Sequence, residues 1–355
     1  MKTALIKQVL DVFGPWAGMK WKDTSAEKLF EVWPGKAVYW ELTCMLEADW
    51  YVIPQVASGD YTRVAIETMP GRAEAMRKYT KNVTNVEDIP FDEYDLVISF
   101  DAILTVPREH PALFVYYAQE HWDRLYTESL ARPRGNYDLF LAHMLDSNAE
   151  VSGLPQAISF PYLHDPNLVQ RVFPSEKREA VWVEWRTLMT LAMKDSSEPW
   201  GPESEAAGRR LAELLDLPIR YRGVLVAQTY GFADPPAWGD AAVYLRELAE
   251  CKYFVSVGGR IGAGQGIGEA AAAGCICIGQ EDRAYHKLIC HPECLCTDMG
   301  EMYQRLMAVV GSPELQAEVI AWQNAALEEH FSRGPLRRLQ EAMSLKEKKR
   351  SVAAR

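Results

Sequence analysis

KYFVSVGGRIGAGQGIGEAAAAGCICIG, residues 252–279, decides how this chain is read. A β-rich run enters a loop dense in glycine, a helix-forming run of alanines follows, and a second short apolar run closes the stretch. Strand, glycine loop and helix together form a general device for holding a phosphate, because free backbone N–H groups and the helix dipole face the anion. Two widespread versions do not fit. Gly259 and Gly264 have the spacing of the nucleotide-triphosphatase loop, but Gln265 and Gly266 stand where lysine and serine or threonine belong. The dinucleotide fingerprint needs G-x-G-x-x-G beside a first strand; here Gly262, Gly264, Gly266 and Gly268 alternate, in the second half of the chain.

Outward from this stretch, strand and helix signals alternate. TALIKQVL (3–10), DWYVIPQ (49–55), YDLVISF (94–100), LFVYYAQ (113–119) and YDLFLAH (137–143) read as strands, with helical composition at 71–81 and 119–130. The segment 159–179 interrupts the rhythm with three prolines and a charged cluster. The alternation then resumes: strands at 181–188, 219–227 and 252–258, and helices at 203–218 and 240–251. Two further helices are expected at 300–311 and 313–330. This order predicts parallel α/β architecture with sites at the carboxyl ends of the strands. Three regions are expected: an N-terminal α/β domain over 1–165, a C-terminal one over 178–332, and a basic tail over 333–355.

The whole chain sets bounds. Its 355 residues are enough for two cores, and 48% apolar with 25% charged residues is an ordinary globular balance. A net charge of −11 speaks against a general nucleic-acid binder, which needs a basic face. No run approaches the ~18 apolar residues of a membrane span. The start, MKTALIKQVLDVFG, reads as a first strand and not a signal peptide, so a cytoplasmic protein is expected. Six of the seven cysteines lie between Cys251 and Cys296. Cys290, Cys294 and Cys296 with His286 and His291 lack the paired C-x-x-C knuckles of structural zinc, and Cys275 and Cys277 alternate like buried strand residues, so no metal site is expected.

The stretch YLRELAECKYFVSVGGRIGAGQGIGEAAAAGCICIG resembles the donor-binding half of GT-B-fold nucleotide-sugar glycosyltransferases, of the group 1 and exostosin-like pattern. There a strand ends in a glycine loop, and the next helix opens with glutamate in an E-A-x-A-x-G pattern, matched by Glu269 to Gly274. The likeness extends over residues 241–331. It implies two Rossmann-like domains facing a cleft, a nucleoside-diphosphate-sugar donor on the C-terminal domain, a hydroxyl acceptor on the N-terminal one, and no cofactor beyond the donor. Glu269 would accept the ribose hydroxyls. Arg260, Gly262, Gly264, Gln265, Gly266, Ile267 and Gly268 would surround the diphosphate. Retaining families place a second glutamate eight residues before the first; Ile261 stands there, so the stereochemical outcome stays open.

The remaining candidates follow N-terminal strands. Gly14 and Gly18, in FGPWAG, would approach the diphosphate or form a plain turn. Asp101, Glu120 and His121 are candidates for the general base, with His143 at a comparable strand end. Arg186 ends VWVEWR and would meet the diphosphate or a surface carboxylate. Trp16, Trp21 and Trp122 would stack on an acceptor sugar or pack. A two-domain nucleotide-sugar epimerase and a non-catalytic nucleotide-sugar binding module are the rival readings. Finally, residues 333–355 hold eight Lys or Arg and two Glu, with Leu336, Leu339 and Met343 at helical spacing. A peripheral contact with an anionic membrane, where a glycan or glycolipid acceptor would lie, competes with a helix crossing back onto the N-terminal domain.

Overall fold

A computed structural model describes residues 1–8, 18–32, 37–53, 84–100, 110–118, 137–142, 157–184, 210–211, 213–221, 241–256 and 265–353. The chain divides into two compact units. One comprises Met1–Trp33, Tyr39–Tyr162 and Pro335–Arg355; the other comprises Pro34–Val38 and Leu163–Gly334.

The first unit is built on six parallel strands: β1 Thr3–Gln8, β2 Asp49–Ile53, β3 Leu96–Phe100, β4 Leu113–Ala118, β5 Leu139–Ala142 and β6 Ala157–Ser159, in the order β2-β1-β3-β4-β5-β6. DWYVI and LVISF are buried throughout and apolar except for Asp49 and Ser99, as suits strands covered on both faces. One face packs Ala4, Ile6, Tyr51, Val97, Phe114 and Phe140 into a single cluster. Helices α1 (Ala26–Val32) and α2 (Ala37–Leu46) precede β2. Trp50 stacks on Phe100 at 5.9 Å, and Tyr39 of α2 meets both rings edge-on. Trp40 and Trp50 donate to Ala26 O and Thr43 Oγ1, each at 2.7 Å. These tryptophans are core, each with its N–H satisfied.

At the amino edge of this sheet lies a polar network. Asp49 accepts from Tyr94 Oη at 2.6 Å, from the Trp21 N–H at 2.9 Å and from Lys20 Nζ at 3.2 Å; Lys20 also meets Tyr51 and Tyr94. Burial pushes the Asp49 carboxyl up, but those hydrogen bonds and the Lys20 charge outweigh it and hold it below the usual carboxylate range.

The second unit repeats the same winding. Its strands are β7 Ala180–Glu184, β8 Ile219–Tyr221, β9 Cys251–Ser256, β10 Ile276–Gln280 and β11 Leu295–Cys296, all parallel, in the order β11-β10-β9-β7-β8. Counted within each unit, the first sheet runs 2-1-3-4-5-6 and the second 2-1-3-4-5, each with the reversal of strand order between its first and third strands. In open α/β sheets ligands bind outside the carboxyl ends at such a switch point. Those switch points are β1/β3 and β7/β9, and the glycine loop follows β9.

Helices of this unit are α3 Pro166–Val172, α4 Ala241–Ala249, α5 Gln265–Ala273, α6 Ala284–Ile289, α7 Met299–Gly311 and α8 Pro313–Ala326. Their starts carry the expected caps: Asp165, Asp298 and Ser312 accept from Asn167, Glu301 and Leu315 N–H groups. The helix expected over 313–330 ends at Ala326 and passes into a π turn, Leu327–Phe331. Gln323 of α8 stands in for a strand partner along β10, donating to Cys275 O at 2.8 Å and accepting from Cys277 N at 2.9 Å.

The expected tail is the helix α9, Arg333–Ala353. Its apolar stripe is used within the first unit. Leu339 is buried there, Arg338 donates to Ser159 O at 3.2 Å, and Lys346 donates to Ala112 O at 2.7 Å and meets Asp138. Among the described residues no helix is long and apolar enough to cross a membrane.

Candidate functional site

All strands of the second sheet are parallel, so their carboxyl ends share one edge. On that edge β9 ends at Ser256, and α5 begins at Gln265; residues 257–264, with Arg260, Gly262 and Gly264, lie outside the described residues. Gln265, Gly266, Ile267 and Gly268 were expected in the loop. They form the first turn of α5, and Glu269 opens its second turn. The helix starts earlier than the glycines suggest because Gly266–Ala273 are buried all round: small side chains let neighbouring helices approach, and that packing outweighs the low helix propensity of glycine.

Glu269 is 6% exposed and, among the described residues, its side chain makes no hydrogen bond or ion pair. A buried carboxylate in this state is costly unless something else satisfies it. One residue earlier, Gly268 has a different role. A Cβ there would stand 3.1 Å from His164 Cγ, with Cδ2 and Nε2 nearer still. His164, fully buried, is held by its N–H to Phe331 O at 2.7 Å and by ring contact with Phe331. The first turn of α5 is therefore seated on an imidazole that sequence reasoning missed; only its place in the irregular segment 159–179 drew notice.

The far end of α5 is tied down by several hydrogen bonds. Gly274, at φ +91°, lets Gly274 N–H reach Ala271 O and Cys275 N–H reach Ala270 O, both at 2.9 Å. Arg178 Nη2 donates to Ala273 O at 2.7 Å, and Gln170 to Ala272 O at 3.1 Å. A cation at the helix C-terminus complements its dipole.

The next strand, β10, ends beside β9. Gly279 leaves room for His286, whose Nδ1 accepts from Gln280 N at 2.8 Å. His291 Nδ1 likewise accepts from Glu293 N at 3.2 Å. Both imidazoles thus serve chain turns. The seven cysteines are free thiols, and burial pushes Cys251, Cys294 and Cys296 up to about 12, with Cys275, Cys277 and Cys290 also raised. Among the described residues no group of three His, Cys, Asp or Glu is placed to hold a metal.

Of the first unit's candidates, Gly14, Trp16, Asp101, Glu120, His121, Trp122 and His143 lie outside the described residues, as does Arg186 of the second. The strands that precede them are placed. β3, before Asp101, adjoins both β1 and β4, and β7, before Arg186, adjoins β9. Gly18 has φ +74° and donates to Trp50 O at 3.1 Å, which ties it to the start of β2. Trp21 is tied to Asp49 at the start of β2, the edge opposite the carboxyl ends. It therefore does not join the candidates at the strand ends. Missed by sequence reasoning was Lys7, 4% exposed near the end of β1, which donates to Tyr39 Oη at 3.2 Å and lies over the Tyr39 and Phe100 rings. A charge inside an apolar strand run was its signal.

No protein-family profile and no curated protein matches the chain. Among solved structures, sucrose-phosphate synthase from Thermosynechococcus elongatus is 12% identical, with 99% of each chain covered and a TM-score of 0.45. A glycosyltransferase from Rickettsia africae is 12% identical over 96% of this chain and 98% of its own, at 0.43. T4 phage β-glucosyltransferase is 12% identical over 98% and 99%, at 0.41. A likeness at this level assigns neither substrate nor chemistry.

Proposed function

We propose that this chain is a GT-B-type glycosyltransferase that moves a sugar from a nucleoside-diphosphate sugar to a hydroxyl acceptor. One observation carries the reading: Glu269, a buried carboxylate with no partner among the described residues, stands on the helix that follows the glycine loop at the switch point of a parallel sheet. A carboxylate there suits a pair of ribose hydroxyls, each donating a charge-assisted hydrogen bond. The sequence pattern around it agrees.

In this reading the second unit binds the donor. Arg260, Gly262, Gly264 and Arg186 would meet the diphosphate. His121, Asp101 or Glu120, after neighbouring strands of the first sheet, would take the acceptor proton. Backbone amides and arginine would stabilise the leaving group, so activity should survive chelation, and no cofactor beyond the donor is needed. The acceptor would be a glycan or glycolipid. A membrane contact through α9 would have to use its outward residues Arg337, Leu345 and Lys348, since Leu339 is already buried.

The test is calorimetry with a panel of nucleoside diphosphates, followed by Glu269→Gln. A folded variant should lose about 1.5–3 kcal/mol of affinity for the diphosphate that binds. Unchanged affinity would remove Glu269 from the site. Release of nucleoside diphosphate only when an acceptor is present would identify transfer.

A further inference from the structure

A groove of about 500 Å³ opens on the second unit between α3, the end of α8 and the start of α9. That size falls within the ~300–1,000 Å³ of small-molecule sites. Helix α3 contributes Asn167, Gln170 and Arg171, and the facing wall carries Asn324 of α8 and Glu328 of the π turn. Ser332 and Arg333 follow that turn and complete the lining. Among the described residues Pro166 is the one lining residue without a polar side chain. A lipid tail or a nucleobase would find no aliphatic or aromatic surface here to rest on.

The turn that carries Ser332 is firmly set. Gly334 lies so close to Glu329 that a Cβ would fall on the Glu329 carbonyl oxygen, and Phe331 O accepts from the His164 backbone N–H at 2.7 Å. Ser332 is 4% exposed, and its hydroxyl has no hydrogen-bond partner among the described residues. Burying a hydroxyl without a partner is unfavourable, so a ligand oxygen that completes it is favoured. Arg171, exposed, has no carboxylate partner among the described residues. Arg333 holds Glu328 at 2.9 Å, in a pair with both side chains more than half exposed, and such a pair is weak. Two arginines against one glutamate leave the groove one positive charge in excess.

We propose that this groove binds a phosphorylated sugar, at a site separate from the donor edge. Arg171, joined by Arg333, would take the phosphate, because a guanidinium fork matches phosphate oxygens in pairs. Ser332 would donate to a ligand oxygen. The amides of Asn167 and Asn324 can donate to sugar hydroxyls or accept from them, and Glu328 can accept. Gln170 ties the groove to the core, since its Nε2 donates to Ala272 O near the end of α5 at 3.1 Å. Among the described residues that line the groove, none belongs to α5 or to a strand end, so the site does not depend on the donor reading.

The experiment titrates the full chain by calorimetry with glucose 6-phosphate, mannose 6-phosphate and ribose 5-phosphate, beside glucose and inorganic phosphate. At least one sugar phosphate should bind, with glucose and inorganic phosphate weaker by about 10-fold or more. Arg171→Gln, a change at an exposed position, should weaken that sugar phosphate about 10- to 100-fold with an unchanged melting temperature. Ser332→Ala should weaken it about 2- to 10-fold. Glu269→Gln should bind it as wild type does. The proposal falls if no sugar phosphate binds, if inorganic phosphate binds equally well, or if either groove variant binds like wild type. It also falls if Glu269→Gln weakens the sugar phosphate as Arg171→Gln does, which would put that ligand at the donor edge. Titration of Glu269→Gln with nucleoside diphosphates tests the donor reading separately.

Discussion

Gly268→Ala is a small change whose sign depends on one contact. In a helix interior, alanine in place of glycine ordinarily stabilises by about 0.5–1 kcal/mol. Here the new methyl would meet the His164 ring, with Cδ2 and Nε2 inside the 3.0 Å that Cβ atoms essentially never cross. The imidazole has little room to retreat: it is fully buried, the His164 backbone N–H is bound to Phe331 O, and the ring lies against Phe331. Overpacking of this kind costs about 1–3 kcal/mol. The net expectation is a loss of roughly 0.5–2 kcal/mol, read as a lower urea midpoint of the second unit's transition with an unchanged slope. The control is a double-mutant cycle. His164→Ala alone should destabilise by leaving a cavity, and in that background Gly268→Ala should turn neutral or stabilising by up to ~1 kcal/mol. Equal losses in both backgrounds, or a wild-type midpoint for Gly268→Ala, would refute the contact.

The Asp49 network predicts a pH dependence. Its carboxyl is lowered in the folded state, so its stabilisation is present above the ordinary carboxylate pKa and fades as pH falls through the folded value; the stability gap between wild type and Asp49→Asn should shrink from pH 7 toward pH 3, and a gap that widens on acidification would show the sign to be wrong. Gln323→Leu strips Cys277 N–H and Cys275 C=O of their side-chain partners, and should cost about 2–4 kcal/mol in chemical denaturation; a loss under 1 kcal/mol, the low end for one hydrogen bond, would mean that water replaces the amide. Because burial raises the thiols of Cys251 to Cys296, a thiol reagent at pH 8 should react in the native state with Cys44 first and with the other six only on unfolding. Rapid native labelling of Cys290 or Cys277 would contradict their burial.

Strand runs such as LVISF and DWYVI were legible because a strand covered on both faces is mostly apolar, a property of contiguous residues. The doubly alternating order followed from them. The short strands β6 and β11, of three and two residues, carry too little pattern to be seen. The π turn after Ala326 falls inside a continuous helical composition, so no residue marked it. Helix α9 was readable as an amphipathic stripe, but a stripe does not say what covers it; the bonds from Arg338 to Ser159 and from Lys346 to Ala112 do.

The same division runs through the candidate site. By itself the sequence determined that a strand, a glycine loop and an alanine helix carrying Glu269 follow one another, since these are neighbours in the chain and local conformation is set by local residues. Only the tertiary structure decided that β9 stands at the point where strand order reverses, that Gly268 makes room for His164, and that Lys7 and Arg283 are cations withdrawn from water at strand ends. The physical reason is that burial and contact are properties of packed elements. Gly268 meets a ring from far earlier in the chain, and Arg283 looks in sequence like any charged residue of a surface turn.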